Sequence, residues 1–265
     1  MGAPSFFRPL GRQEDFIVDL QTFFVENPGG ALAFSGGTDS ALLVWAAANY
    51  GADWSAYYVH SAFQPAFELE DAKKIAARCG LPLNILEADV LSCADVVKNP
   101  ENRCYFCKKQ IFGLILRQAA ADGHSLIIDG TNASDDAGDR PGMKALRELQ
   151  VRSPLRECGI TKAQVRQMSR AAGLFTWNKP SYACLATRIP AGTPITAEAL
   201  QAVERGENAL FALGFSDFRI RLRGGAAVVQ LPASQLADGF ARREELLAQL
   251  SPIFPVVTLD LNPRS

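Results

Sequence analysis

Ala31-Leu32-Ala33-Phe34-Ser35-Gly36-Gly37-Thr38-Asp39-Ser40 is the stretch that decides the fold. Ala31–Phe34 is a short apolar run of strand length, and a helical stretch follows from Ser40 to Asn49. Between them, Gly36 and Gly37 let backbone N–H groups approach an anion closely. The hydroxyls of Ser35, Thr38 and Ser40 add donors, and the following helix turns its positive end to the same point. Asp39 would repel a bare phosphate, so its assigned role is to hold a Mg²⁺ that bridges phosphates. A tight strand–helix turn capped by Ser or Asp is the plain alternative. The density of glycine and hydroxyl exceeds what such a turn needs. No Gly-Lys pair and no GxGxxG occurs, so neither the Walker loop nor the dinucleotide fingerprint applies.

Outward from this loop, strands alternate with helices. Gln13–Phe24, Leu69–Arg78 and Tyr105–Ala121 have helical spacing, while Trp54–Val59, Leu83–Leu86 and Leu126–Ile128 are apolar runs of strand length. That alternation predicts an α/β fold, a Rossmann-like parallel sheet covered on both faces. Thr161 and Gln164 form a capping-box pattern, and Gly173 stops the helix they start. Asn178–Pro194 is rich in Pro, Ser, Gly and Thr and reads as loop and linker. Beyond it the pattern changes. Thr196–Leu213 and Ser234–Leu250 read as helices, and Phe218–Leu222, Ala226–Leu231 and Val256–Leu261 as strands. The expected organisation is a nucleotide domain over residues 1–189 and a small α+β domain over 190–265.

The chain of 265 residues is 48% hydrophobic, enough for a substantial core, and its formal charge of −1 creates no general attraction for nucleic acid. Met1–Arg8 has no apolar run of signal-peptide length, and nowhere do about 18 apolar residues follow one another. A cytoplasmic protein without membrane attachment is expected. Its cysteines are Cys79, Cys93, Cys104, Cys107, Cys158 and Cys184. In that compartment paired cysteines point to metal or redox chemistry more than to structural disulfides. Cys104-Tyr105-Phe106-Cys107 has CxxC spacing, which serves zinc, redox exchange or an iron–sulfur cluster. With Cys184 it makes three thiols, a set that suits a [4Fe–4S] cluster with one iron open. Cys79, Cys93 and Cys158 stand singly and read as buried and inert.

Ser35-Gly36-Gly37-Thr38-Asp39-Ser40 resembles the loop of the N-type ATP pyrophosphatases, which cleave ATP between the α and β phosphates and leave AMP on the substrate. The resemblance implies an ATP site in which Ala33 and Phe34 lead into the loop and Ser35, Gly36, Gly37, Asp39 and Ser40 hold pyrophosphate and metal. His60 and Ser61, after the second strand, would contact adenine or ribose. Phe63 would stack there, and Asp129-Gly130-Thr131-Asn132 would close over the nucleotide. Longer matches narrow the family. Arg103-Cys104-Tyr105-Phe106-Cys107-Lys108, Arg140-Pro141-Gly142, Ser153-Pro154-Leu155, Lys179-Pro180-Ser181 and Cys184-Leu185-Ala186-Thr187-Arg188, in this order, resemble the LarE family. Its members insert sulfur during nickel-pincer cofactor synthesis.

That resemblance implies a substrate, pyridinium-3,5-dicarboxylate mononucleotide, and a sulfur source that is sulfide or a sulfur-donating protein. It also implies a homo-hexamer. One class of the family sacrifices the sulfur of the cysteine matching Cys184, which becomes dehydroalanine, and lacks the CxxC pair. Both Cys104 and Cys107 are present here, which favours the class that carries the transferred sulfur on a three-cysteine cluster. Arg219 and Arg221 alternate on a strand and so face one side. With Arg188 they are expected at the substrate phosphate, and Glu207 near a metal or subunit boundary. Competing readings are a tRNA thiolase with the same loop, an ammonia-using ligase, and a nucleotide-binding sensor. The lack of a basic stretch argues against tRNA.

Overall fold

The computed structural model describes residues 13–135 and 141–264. Met1–Arg8 and Arg140 of the sequence motifs lie outside the described residues. In chain order the elements are α1 (Gln13–Glu26), β1 (Gly29–Ala33), α2 (Thr38–Tyr50), β2 (Asp53–His60), α3 (Ala66–Cys79), β3 (Leu83–Glu87), α4 (Ala94–Val97), α5 (Arg103–Ala121) and β4 (Ile127–Ile128). They continue with α6 (Pro141–Glu148), α7 (Pro154–Glu157), α8 (Lys162–Ala171), α9 (Ala197–Ala212), β5 (Arg219–Arg223), β6 (Ala226–Gln230), α10 (Ala233–Ala241), α11 (Arg243–Leu250) and β7 (Val256–Leu259).

The first four strands form a parallel sheet in the order β3-β2-β1-β4. Strands buried on both faces need apolar side chains throughout, and Ala31, Leu32, Ala56, Tyr57 and Tyr58 are fully buried. One core joins α1, α2 and α8 on one face through Phe24, Leu42, Leu43 and Val165. A second core packs Phe112, Ile115 and Ala119 of α5 against Tyr57 and Val59. The Rossmann-like α/β fold expected from the alternation is what forms.

The C-terminal region builds a separate three-stranded mixed sheet, β5-β6-β7, with β5 antiparallel and β7 parallel to β6. Leu210, Phe218, Ile220, Val229 and Leu250 make its own core. Gly206 lets α9 lie tightly on this core, because a Cβ there would sit 2.7 Å from the Phe254 ring and 2.8 Å from Ile220. The helix expected over Ser234–Leu250 is two helices, broken at Arg242, whose φ of −95° and ψ of 22° leave the helical region.

Asn178–Pro194 is more than a linker. Leu185–Arg188 forms a 3₁₀ turn, and Leu185, Ala186, Arg188 and Ile189 are buried. This segment packs with Phe63, Val90 and Val96 of the first unit and with Leu200 and Val203 of α9. It is the joint between the two sheets, and it carries Cys184.

Candidate active site

At the end of β1 the chain turns through Ser35–Gly37 into α2. Gly36 has φ +75°, and a Cβ there would lie 2.7 Å from the Glu68 carbonyl oxygen, so no other residue fits without strain. Ser35 Oγ and Ser40 Oγ lie 3.1 Å apart, and Ser40 Oγ also reaches the Gly37 carbonyl at 3.2 Å. The Thr38 hydroxyl donates to the Thr176 carbonyl at 2.9 Å and ties the loop to the chain after α8. Opposite, a Cβ on Gly130 would meet the Ser40 amide nitrogen at 3.0 Å, so the 129–132 segment closes directly on the loop. Asn132 Nδ2 donates to Asp39 Oδ1 at 3.2 Å, and Lys162 Nζ pairs with Asp39 Oδ2. Thr161 caps α8 in a capping box and so sets Lys162 at this spot.

These groups line a cavity of 440 Å³ that also receives Tyr58, Glu68, Asp129, Thr131, Asp135, Lys179, Tyr182 and Cys184. That volume suits a nucleotide-sized ligand. Ala33, Phe34, Ser35, Gly37, Asp39, Ser40, Gly130 and Thr131 of the expected set line it. Asn132 reaches it through Asp39.

His60 and Ser61 line a different, smaller hollow of 210 Å³ with Ala197, Gln201 and Glu204. His60 Nδ1 lies 2.9 Å from Glu87 Oε2. Phe63 faces neither: its ring is 1% exposed and belongs to the core around Leu185, so it is not available to stack on a base.

The Cys184 segment is gripped from two sides. From α5, Arg103 Nη1 donates to the Ala186 carbonyl at 3.0 Å, and from the turn between α4 and α5 Asn99 Nδ2 donates to the Pro190 carbonyl at 2.7 Å. From the C-terminal unit, Arg221 Nη1 donates to the Thr187 carbonyl at 2.9 Å, and Arg219 to the Ser181 carbonyl. Arg188 is 1% exposed. Its Nε donates to Glu207 Oε1 at 2.8 Å, its Nη2 to Glu207 Oε2 at 3.0 Å and its Nη1 to the Ala183 carbonyl at 2.8 Å. Glu207 also accepts from Tyr182 Oη and from the Ile220 amide. The Tyr182 ring carries the Arg188 guanidinium 4.5 Å from its centroid and that of Arg219 at 5.1 Å. The three arginines expected at a substrate phosphate therefore spend donors on the loop that holds Cys184. Glu207, expected near a metal or subunit boundary, is the buried partner of Arg188.

Cys107 and Cys184 pack in one cluster with Cys93 and Phe106, while Cys104 is exposed at the start of α5. Burial pushes the Cys107 thiol up to about 12, and Cys184 and Cys104 add to the rise, so the three act on one another. Burial likewise raises the Cys184 thiol, with Arg103 the main opposing charge. Among the described residues no three His, Cys, Asp or Glu side chains are already grouped to hold a metal ion. Cys93 packs against the same cluster as Cys107 and adds slightly to its raised pKa. Cys79 and Cys158 do pack against the first core.

Lys162, Lys179 and Glu68 were not singled out from sequence. Lys179 lay inside a quoted motif, and Lys162 directly follows a recognised helix cap. Nothing in the sequence marks Glu68, which only the fold brings under the phosphate loop.

No family model matches the chain. It is 37% identical to an uncharacterized protein of Synechocystis over 84% of each chain. It is 26% identical to an uncharacterized protein of Methanocaldococcus jannaschii over 82% of each. It is 31% identical to the pyridinium-3,5-bisthiocarboxylic acid mononucleotide synthase of Lactiplantibacillus plantarum, over 87% of this chain and 84% of that one. With its parallel sheet, its Ser35–Ser40 loop and its cavity-facing cysteine, the chain belongs to the LarE family of sulfur transferases, that of pyridinium-3,5-bisthiocarboxylic acid mononucleotide synthase.

Proposed function

We propose that the protein uses ATP to adenylate the carboxylates of pyridinium-3,5-dicarboxylate mononucleotide, releasing pyrophosphate, and converts them to thiocarboxylates. The observation that carries this is that the Ser35–Ser40 loop and Cys184 line one cavity. Activation and sulfur attack can then share one bound intermediate. The loop amides and hydroxyls bind the departing pyrophosphate at the start of α2. Lys162 and Lys179 offset charge that develops on the phosphates. Asp39, in the cavity with the loop, would be the oxygen ligand of a Mg²⁺, which would offset phosphate charge there. An acyl-adenylate is then open to a thiol or hydrosulfide at Cys184. Arg219 remains the candidate for the substrate phosphate, since it lines a neighbouring hollow with Lys179 and Tyr182, which also line the nucleotide cavity.

The proposed sulfur carrier is a [4Fe–4S] cluster on Cys104, Cys107 and Cys184. The donor set fits in its chemistry, being thiols alone, mutually coupled and next to Arg103. When bound, such a cluster supplies an open iron that takes up sulfide. Sacrifice of Cys184 is the second reading, favoured by the lack of a ready three-ligand group among the described residues. Anaerobic purification with iron and sulfide quantified separates them. About four irons per chain, lost in Cys104→Ala, support the cluster. Absence of iron with Cys184 converted to dehydroalanine after one turnover supports sacrifice. Two further parts of the proposal are the division into units 1–189 and 190–265 and assembly as a homo-hexamer. Exposed Phe240, Leu247, Val256 and Leu261 on the second unit are consistent with assembly.

A further inference from the structure

The cavity is lined by the carboxylates of Asp39, Glu68, Asp129 and Asp135. Three of them are engaged. Asp39 holds Lys162 and Asn132, Asp129 accepts from Thr131 and Ser153, and Asp135 accepts from the Asn132 amide. Glu68 is different. It lies in the first turn of α3, with its own carbonyl under Gly36, and is 9% exposed. Its carboxyl has no hydrogen-bond partner among the described residues. Nearby, the Tyr58 hydroxyl is buried, lines the same cavity and is also unpartnered. The buried, unpartnered Tyr58 hydroxyl is costly unless a ligand meets it, and the Glu68 carboxyl opens onto the same cavity.

We propose that Glu68 is the general base of the thiolation step, taking the proton from the sulfur nucleophile as it attacks the acyl-adenylate. This rests on the adenylation reading above. The S–H proton of hydrosulfide passes to a Glu68 carboxylate oxygen. Where Cys184 is itself the sulfur source its S–H proton passes the same way, and the product of the step is a thioester. Loss of the Cα proton with Cβ–S cleavage then leaves dehydroalanine and the thiocarboxylate. The sulfur pair forms the S–C bond at the acyl carbon. The C–O bond to AMP breaks, and AMP leaves with that electron pair. No oxidant or reductant is involved.

The surroundings fit this task. Burial pushes the Glu68 carboxyl up to about 7, against the attraction of Lys179, with Asp71 adding to the rise and Arg188 and Arg219 opposing it. Lys179 is held by Asp71 at 2.8 Å, so it moderates the carboxyl without quenching it. A base matched to neutral pH can accept a proton and later give it up. In its protonated form it does not repel the incoming carboxylate or ATP.

The test follows pyrophosphate and thiocarboxylate in the same reaction, from about pH 6 to about pH 8.5, for wild type, Glu68→Gln and Glu68→Asp. In wild type the thiocarboxylate rate should rise through about pH 7. In Glu68→Gln that limb should vanish and product per pyrophosphate fall roughly 100-fold or more. Glu68→Asp should recover part of both. Unchanged product per pyrophosphate in Glu68→Gln, or Gln and Asp variants equally impaired, would overturn the assignment. So would an equal fall in pyrophosphate and product. Wild type releasing no substrate-dependent pyrophosphate would instead overturn the adenylation reading itself.

Discussion

Arg188 and Glu207 form an ion pair whose side chains are 0% and 1% exposed. A pair so deep contributes little by mere attraction, but removing one partner strands the other charge. Arg188→Ala should therefore lower unfolding free energy by about 3–5 kcal/mol, read from denaturant midpoints. A loss below about 1 kcal/mol would show that Glu207 finds other compensation. Glu68 gives a pH-dependent counterpart. Burial pushes its folded pKa up to about 7, above the ordinary carboxylate range, so the folded state holds the proton longer than the unfolded chain. Stability falls as pH rises from about 4.5 to about 7. Glu68→Gln should gain on the order of 2–3 kcal/mol over wild type at about pH 8, and nothing at about pH 4. At this scale residue types alone single out the loop and Cys184, and the structure brings both to one cavity. The contacts of the arginines were not legible from sequence, because a guanidinium on a strand announces its charge but not its partner.

At the scale of elements, strand–glycine–helix order and periodicity were enough to foresee β1, α2 and the parallel sheet. Asn178–Pro194 is the largely irregular segment that its Pro, Ser and Gly imply, but it is not an open one. Its backbone carbonyls are instead captured by Arg103, Arg188, Arg219 and Arg221, side chains remote in sequence. The break between α10 and α11 was hidden because Arg242 is an ordinary helix former. The Thr161 cap was legible, and it has a consequence for the site. Thr161→Ala should cost about 1 kcal/mol. It should also weaken ATP binding several-fold in calorimetry, since Lys162 begins the helix it caps. Unaltered ATP affinity would mean that Lys162 is placed by its Asp39 contact alone.

Across the whole molecule, two cores meet at one segment, and the C-terminal region grips the stretch that carries Cys184. Glu207 of α9 reaches Arg188 and Tyr182, while Arg219 and Arg221 of β5 reach backbone on either side of Cys184. Glu207→Gln should speed amide exchange at Leu185 and Ile189, whose bonds to Phe63 and Ala186 anchor the loop. Exchange at Leu32 in β1 should stay slow. Equal acceleration at both places would mean a global loss of stability. The change of pattern after Pro194 announces the second sheet, but not this coupling, which depends on contacts between distant stretches.

The most direct measurement is a single-turnover reaction of the purified protein with ATP and pyridinium-3,5-dicarboxylate mononucleotide, with a sulfide donor present, comparing wild type and Cys184→Ala. Pyrophosphate and thiocarboxylate are both quantified. The account predicts substrate-dependent pyrophosphate from both proteins and thiocarboxylate from wild type alone. Thiocarboxylate from Cys184→Ala at the wild-type rate, or sulfur insertion without pyrophosphate release, would contradict it.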